Sequence, residues 1–302
     1  MATLTNSSDL LQQLLNPQQS RRKPKGVRQA TAVGQSYNVE LQRMVREIKR
    51  DIDRIIMPVV KSSADQYTSD SAPIVTADTW VDLLVQTIQQ VRNRWASPQF
   101  AAIARRIAER FVRDAATVNA ERNIRDMGID IFSGQQEIQD TVALAIHNNV
   151  ALIQSIPSQY LGQVESIIMT NIRAGRRPSA IVAQLADQYG ITERRAKMIA
   201  RDQTAKVNGD LNRHRQVAAG FPYFEWDDSD DERVRPRHHE IATKVTAYGR
   251  GIYRWDNPPL SDKGEPIIPG VDYNCRCVGR GVTQEEVDRN VKEGRTRPGV
   301  LR

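Results

Sequence analysis

Two cysteines, Cys275 and Cys277, are all that 302 residues contain, which excludes a disulfide-stapled secreted scaffold. No stretch approaches the roughly 18 consecutive apolar residues of a membrane span. The opening MATLTNSSDLLQQLLN lacks the charged start and apolar block of a signal peptide. Acids are outnumbered, 36 Asp+Glu against 43 Lys+Arg, so the formal charge is +7 and the pI is near 9.5. Aromatic residues are scarce at 6% and unevenly placed. These absences describe a soluble protein made inside the cell. Hydrophobic residues at 39% still suffice for a packed core and exclude a wholly disordered chain. The length is that of two domains, with room for an arm.

The organisation read from the pattern is mainly α: a helical body followed by a small, turn-rich α+β module. Residues 1–35 read as a flexible basic arm, because Arg21, Arg22, Lys23, Lys25 and Arg28 lie around Pro24 and Gly26. Residues 36–220 form the helical body. From about Val39, Leu41, Met44, Val45, Ile48, Ile52, Ile55 and Ile56 recur at three- and four-residue steps, and Pro58 is expected to end that helix. Ser97-Pro98 starts another, since Ser accepts orphan N–H groups and Pro has none to lose in the first turn. Further helices are expected near 135–155, 157–174 and 178–188.

Within the body, Ser179–Gln203 reads as a helix-turn-helix. Gly190 would end the first helix and Thr192 would cap the second, displaying Arg194, Arg195, Lys197 and Arg201 towards nucleic acid. From Arg173 to Arg215 there are ten Lys/Arg against four acids. The competing reading is a structural corner of a bundle, and few Asn, Gln or Ser residues are placed to read bases.

Beyond Gly220 the composition changes. Eight of the 17 aromatic residues fall between Phe221 and Tyr273, with both cysteines and two of the four histidines, His238 and His239. PYFEW and GIYRWD read as short strands. Residues 221–282 therefore form a compact module whose small core needs a staple or outside support, and 283–302 read as a tail. Six acids between Glu225 and Glu232 precede Arg233, Arg235, Arg237 and His238, and the two blocks are expected to pair across a tight turn. An enzymatic alternative is a metal-dependent nuclease using Asp231, His238 and the cysteines. For Cys275-Arg276-Cys277 three readings stand together: a structural zinc site with His238, buried free thiols, or a vicinal redox pair.

The order Ala196…Ile199-Ala200-Arg201-Asp202-Gln203-Thr204…Asn208, Gly220, Tyr223…Trp226, Asp231…Arg233…Arg235…His238, Trp255-Asp256-Asn257-Pro258-Pro259, and Pro269-Gly270…Asn274-Cys275-Arg276-Cys277 resembles the phage Mu F-like head morphogenesis family. These are minor head proteins of tailed bacteriophages. The resemblance covers roughly residues 148–282. Two departures are visible. No glycine follows the motif histidine before Ala242-Thr243, and Arg201-Asp202-Gln203 stands where the family commonly has Arg-Thr-Glu. The resemblance implies a virion protein of the head interior or portal region, not an enzyme, made in the host cytoplasm. Its implied partners are the portal protein, other head proteins and, by non-specific contact, packaged DNA, with no membrane while in the head. Its implied role is in head assembly, genome packaging or ejection. Trp226, Asp231, Arg233, Arg235, His238, Cys275 and Cys277 form the structural motif, with His238, Cys275 and Cys277 as candidate ligands of a structural zinc ion.

Overall fold

A computed structural model of the chain describes residues 26–62, 77–130, 135–174, 176 and 178–302. Most of the basic arm, residues 1–25, lies outside the described residues. From Gly26 onward the chain is packed: Val27 is fully buried, and helix α1 already begins at Thr31, ahead of the expected start near Val39 (Thr31–Asp51).

The chain divides into two compact units that do not follow a linear boundary. One unit comprises Gly34–Phe111 and Ile146–Arg201. Here the apolar stripe of α1 (Tyr37, Leu41, Met44, Val45, Ile48) turns inward. Tyr37 stacks on Phe111 with ring centroids 4.1 Å apart and donates to Asn149 Oδ1 at 3.0 Å. Pro58 does not end the helical run, contrary to the sequence reading. A π-turn at Ile52–Ile56 precedes α2 (Met57–Ser62), and the Met57 N–H reaches the Ile52 carbonyl five residues back. The extra residue per turn accommodates the proline ring without breaking the rod. Helix α3 (Ala77–Trp95) packs against this turn. Its end is tied to buried Asp51, which accepts from Arg94 and from the Trp95 indole at 3.1 and 3.0 Å.

Helix α4 (Pro98–Met127) starts where expected, with the Phe100 N–H donating to Ser97 Oγ at 3.2 Å. Helix α5 (Gln136–Arg173) runs through Pro157 as one 38-residue helix, where the sequence suggested two. Ile153, Ile156, Tyr160 and Leu161 are buried on both sides of the proline, so apolar burial outweighs one missing backbone bond.

Helix α6 (Pro178–Ala218) overturns the helix-turn-helix reading, because its 41 residues are continuous through Gly190. The Thr192 hydroxyl donates back to the Gln188 carbonyl at 2.9 Å instead of capping a new helix. Glycine inside a helix costs only about 1 kcal/mol relative to alanine. Burial of Ile181, Leu185, Ala196, Ile199 and Ala200 around it offsets that.

The other unit comprises the described residues up to Val33, together with Val112–Ala145 and Asp202–Arg302. Its helical part is joined by a buried amide network. Asn119 donates to Asn208 and Asn212 Oδ1 at 3.0 and 2.7 Å, and Asn123 donates to Asn212 Oδ1 at 3.2 Å. Asn208 and Asn212 then donate to the Val27 carbonyl at 3.0 and 2.8 Å. Arg215 Nε reaches Asn119 Oδ1 at 3.0 Å.

The C-terminal elements of this unit are β1 (Tyr223–Asp227), α7 (Pro236–Thr243), β2 (Val245–Thr246), β3 (Gly249–Arg250), β4 (Ile252–Arg254), β5 (Val278–Val282) and α8 (Gln284–Lys292). The main sheet has order β4-β1-β5, all antiparallel, with Phe224 opposite Tyr253 and Gly281. The segment expected as a tail belongs to the fold. Thr283 caps α8, accepting from the Glu286 N–H at 3.2 Å. Val287 packs with Tyr223, Ile252 and Val282.

Pro269-Gly270 crosses α6 at Gly209, where an added Cβ would lie 2.5 Å from the Pro269 carbonyl oxygen. Gly270 has φ +90, a conformation that favours glycine. Gln216 adds a bond to the Gly279 carbonyl at 3.0 Å.

Candidate functional site

The site is built from α7 and from the strand entry before β5. Arg235, with extended φ and ψ, is the N-cap residue of α7, and Pro236 fills its first turn. Two positions later His238 points inward and is 4% exposed. Cys275 and Cys277 lie in the irregular segment that leads into β5, and both are buried. Both sulfurs therefore point inward. Arg276 points the other way, onto Asp231.

The His238 Nδ1 atom lies 3.6 Å from Cys275 Sγ and 3.5 Å from Cys277 Sγ. The three ligand atoms fall within 4.8 Å of one another and all three residues are buried. The surrounding core is Phe224, Trp226, Ile241, Tyr253, Trp255 and Ile268. Trp226 meets the imidazole edge-on, with ring centroids 5.3 Å apart. Among the described residues its buried Nε1 has no partner at hydrogen-bonding geometry. The other imidazole nitrogen, Nε2, faces Asp272 Oδ2 at 3.2 Å. Asp272 is in turn held by Arg235 Nη1 at 2.7 Å, and Arg235 Nη2 also donates to the Tyr273 carbonyl at 2.5 Å.

Proton affinities follow from this crowding. The Cys275 thiol is lowered, first by the hydrogen bond with Cys277 and then by His238, against the opposing effect of burial. Cys277 is pushed up, first by sharing its proton with Cys275 and then by burial. The pair thus releases its first proton readily and its second reluctantly. Burial lowers the His238 value, but Cys275 and the Asp272 carboxylate outweigh it, and the net shift is upward.

The acidic run does not pair with the adjacent arginines in the expected way. Asp231 pairs with Arg276, Glu225 with Arg280, and Asp228 with His239 at 3.1 Å. Asp227 lies 4.0 Å from Arg28. The Arg233 backbone N–H donates to Asp231 Oδ1 at 3.0 Å, while Arg235 turns to Asp272. The strand pairing of β1 with β5 brings Arg280 opposite Glu225, so partners distant in sequence replace neighbours. Asp231 does not join His238 and the cysteines within ligand reach, which removes the geometry the nuclease alternative needs.

Of the four basic residues singled out on α6, Arg194, Lys197 and Arg201 are exposed at helical spacing. Arg195 faces elsewhere: its Nη2 donates to Ser155 Oγ at 2.9 Å, and burial lowers its proton affinity.

Sequence reasoning missed Asp272 and Asp202. Asp202 accepts from the Asn274 N–H at 2.7 Å and pairs with Lys206 at 2.9 Å. It thereby holds the residue before Cys275, which has φ +53. The signal for Asp202 was its place in the Arg-Asp-Gln departure, and for Asp272 its position three residues before Cys275.

Residues 162–280 match the family model described as Phage Mu protein F like protein. The chain carries a phage Mu F-like domain. That domain includes the end of α5, all of α6, β1 to β4, His238 and both cysteines, and its matched segment ends at Arg280 within β5. Over 276 residues, 89% of the chain, it is 30% identical to an uncharacterized protein of Haemophilus influenzae (strain Rd). The chain spans 57% of that relative's length. No solved structure matches the chain. No helix among the described residues is long and apolar enough to cross a membrane.

Proposed function

We propose that this protein is a structural minor component of a tailed-phage head, acting at the portal in head assembly and touching packaged DNA without sequence preference. The observation that carries the reading is the Mu F-like match over residues 162–280. A closed, largely apolar module around the motif residues supports a structural role rather than a catalytic one. The exposed Arg194, Lys197 and Arg201 face supports phosphate contact, because a straight helix offers point charges along a groove or strand without a second helix to read bases.

The test is genetic and biochemical together. Removing the chain from an inducible phage that encodes it is expected to leave capsid protein synthesis intact and to yield heads that fail to package or to deliver DNA. The purified chain should co-sediment with that phage's portal protein. Normal infectious particles without the chain would refute the reading.

A further inference from the structure

We propose that His238 Nδ1, Cys275 Sγ and Cys277 Sγ bind one zinc ion. This goes beyond the head-protein reading and stands independently of it.

The first argument is distance. Zinc–sulfur bonds of about 2.3 Å and zinc–nitrogen bonds of about 2.0–2.1 Å at tetrahedral angles place sulfur and nitrogen roughly 3.5 Å apart. The observed separations are 3.6 and 3.5 Å. The second is valence. Both sulfurs approach the same imidazole nitrogen at nearly equal distance, and one ring nitrogen has either one proton or one lone pair in its plane. A single hydrogen bond serves one sulfur, whereas an ion at the centre serves all three atoms.

The third argument is the outer layer. A metal-bound histidine commonly gives its second N–H to a carboxylate, which fixes the tautomer. Here Nε2 faces Asp272 Oδ2 at 3.2 Å, and Arg235 anchors that carboxylate. Donation from Nε2–H leaves the Nδ1 lone pair directed at the two sulfurs. The Cys277 N–H lies 3.4 Å from Cys275 Sγ, a backbone donor suited to a thiolate.

The fourth argument is charge. Two buried thiolates alone would be costly among Phe224, Trp226, Trp255 and Ile268. Two thiolates, a neutral imidazole and a divalent ion sum to zero. Zinc displaces both thiol protons as it binds. Soft sulfur and imidazole donors select zinc over magnesium or calcium. The ion also supplies what a module with a small core lacks, a tie between α7 and the strand entry to β5.

The experiment uses the full chain, expressed with zinc and dialysed against metal-free buffer. Elemental analysis should find about one zinc per chain. His239→Ala should keep it, because His239 points to Asp228 on the surface, and Cys275→Ser with Cys277→Ser should lose it. Asp272→Asn should weaken zinc affinity by about 10- to 100-fold without abolishing it. Cobalt added to the wild-type chain after its zinc has been removed with chelator should saturate at one equivalent, with a sulfur-to-cobalt charge-transfer band and the intense visible bands of a four-coordinate ion. That spectrum decides the matter even if the double variant fails to fold. Wild-type chain that remains metal-free after incubation with zinc, or cobalt that shows no thiolate band, would overturn the site.

Discussion

Gly209→Ala sets two physical effects against each other. In a helix interior, replacing glycine by alanine stabilises by about 1 kcal/mol. Gly209, however, lies where the Pro269-Gly270 loop crosses α6. A Cβ there would sit 2.5 Å from the Pro269 carbonyl oxygen and 3.4 Å from Gly270 Cα. The near neighbour is backbone, and the crossing is close on both sides: a Cβ added at Gly270 would lie 2.9 Å from the Ala205 carbonyl oxygen. Overpacking of this kind costs about 1–3 kcal/mol. The net expectation is destabilisation by about 1 kcal/mol, the propensity gain included. Gly162→Ala is the matched control, since among the described residues nothing beyond its own helical backbone and chain neighbours lies within 4 Å of its Cβ position in α5, and it should stabilise by up to about 1 kcal/mol. Urea unfolding followed by tryptophan fluorescence reads the C-terminal module through Trp226 and Trp255. Limited proteolysis of the loop before Cys275 gives a second readout. If both alanine variants are equally stabilised, the close crossing at Gly209 is refuted.

Three other expectations are equally specific. Asn212→Ala removes the acceptor shared by Asn119 and Asn123 and one donor to the Val27 carbonyl; at about 1 kcal/mol per bond it should cost roughly 3 kcal/mol in denaturant unfolding. Asp202→Ala frees the Asn274 N–H and should cost about 2 kcal/mol, the worth of a charge-assisted bond, with new cleavage at residues 271–274 under limited proteolysis. DNA binding by the exposed α6 face should be sequence-independent, with a slope of log affinity against log salt of about −3 for three phosphate contacts. Arg194→Ala, Lys197→Ala and Arg201→Ala together should flatten that slope while leaving the unfolding midpoint unchanged, and an undiminished slope would show that the contacts lie elsewhere.

Periodicity made the helical body legible: Leu41, Met44, Val45, Ile48, Ile52 and Ile56 are buried at the spacing the sequence displays. Breaker residues misled. Pro58, Pro157 and Gly190 are strong local signals, and each was outweighed by burial on either side or by a π-turn that only tertiary structure specifies. The division into compact units was not legible, because α4, α5 and α6 are long continuous helices whose residues fall in both units. At the site, two cysteines and a buried histidine stood out because such residues are rare in this chain. Asp202 and Asp272 did not, because acids are common and proximity to a motif in sequence does not say which of them fold back onto it. The same limit explains the acid run, whose partners Arg276 and Arg280 lie some 45 and 55 residues further along the chain.

The measurement that bears most directly on the proposed role is the protein content of purified heads from an induced phage encoding this chain, quantified by mass spectrometry after external nuclease treatment. The chain should be present in DNA-filled heads, at far fewer copies than the major capsid protein, and should resist release by nuclease. Heads that lack it, with the chain recovered wholly in the soluble cell fraction, would contradict a structural role in the virion.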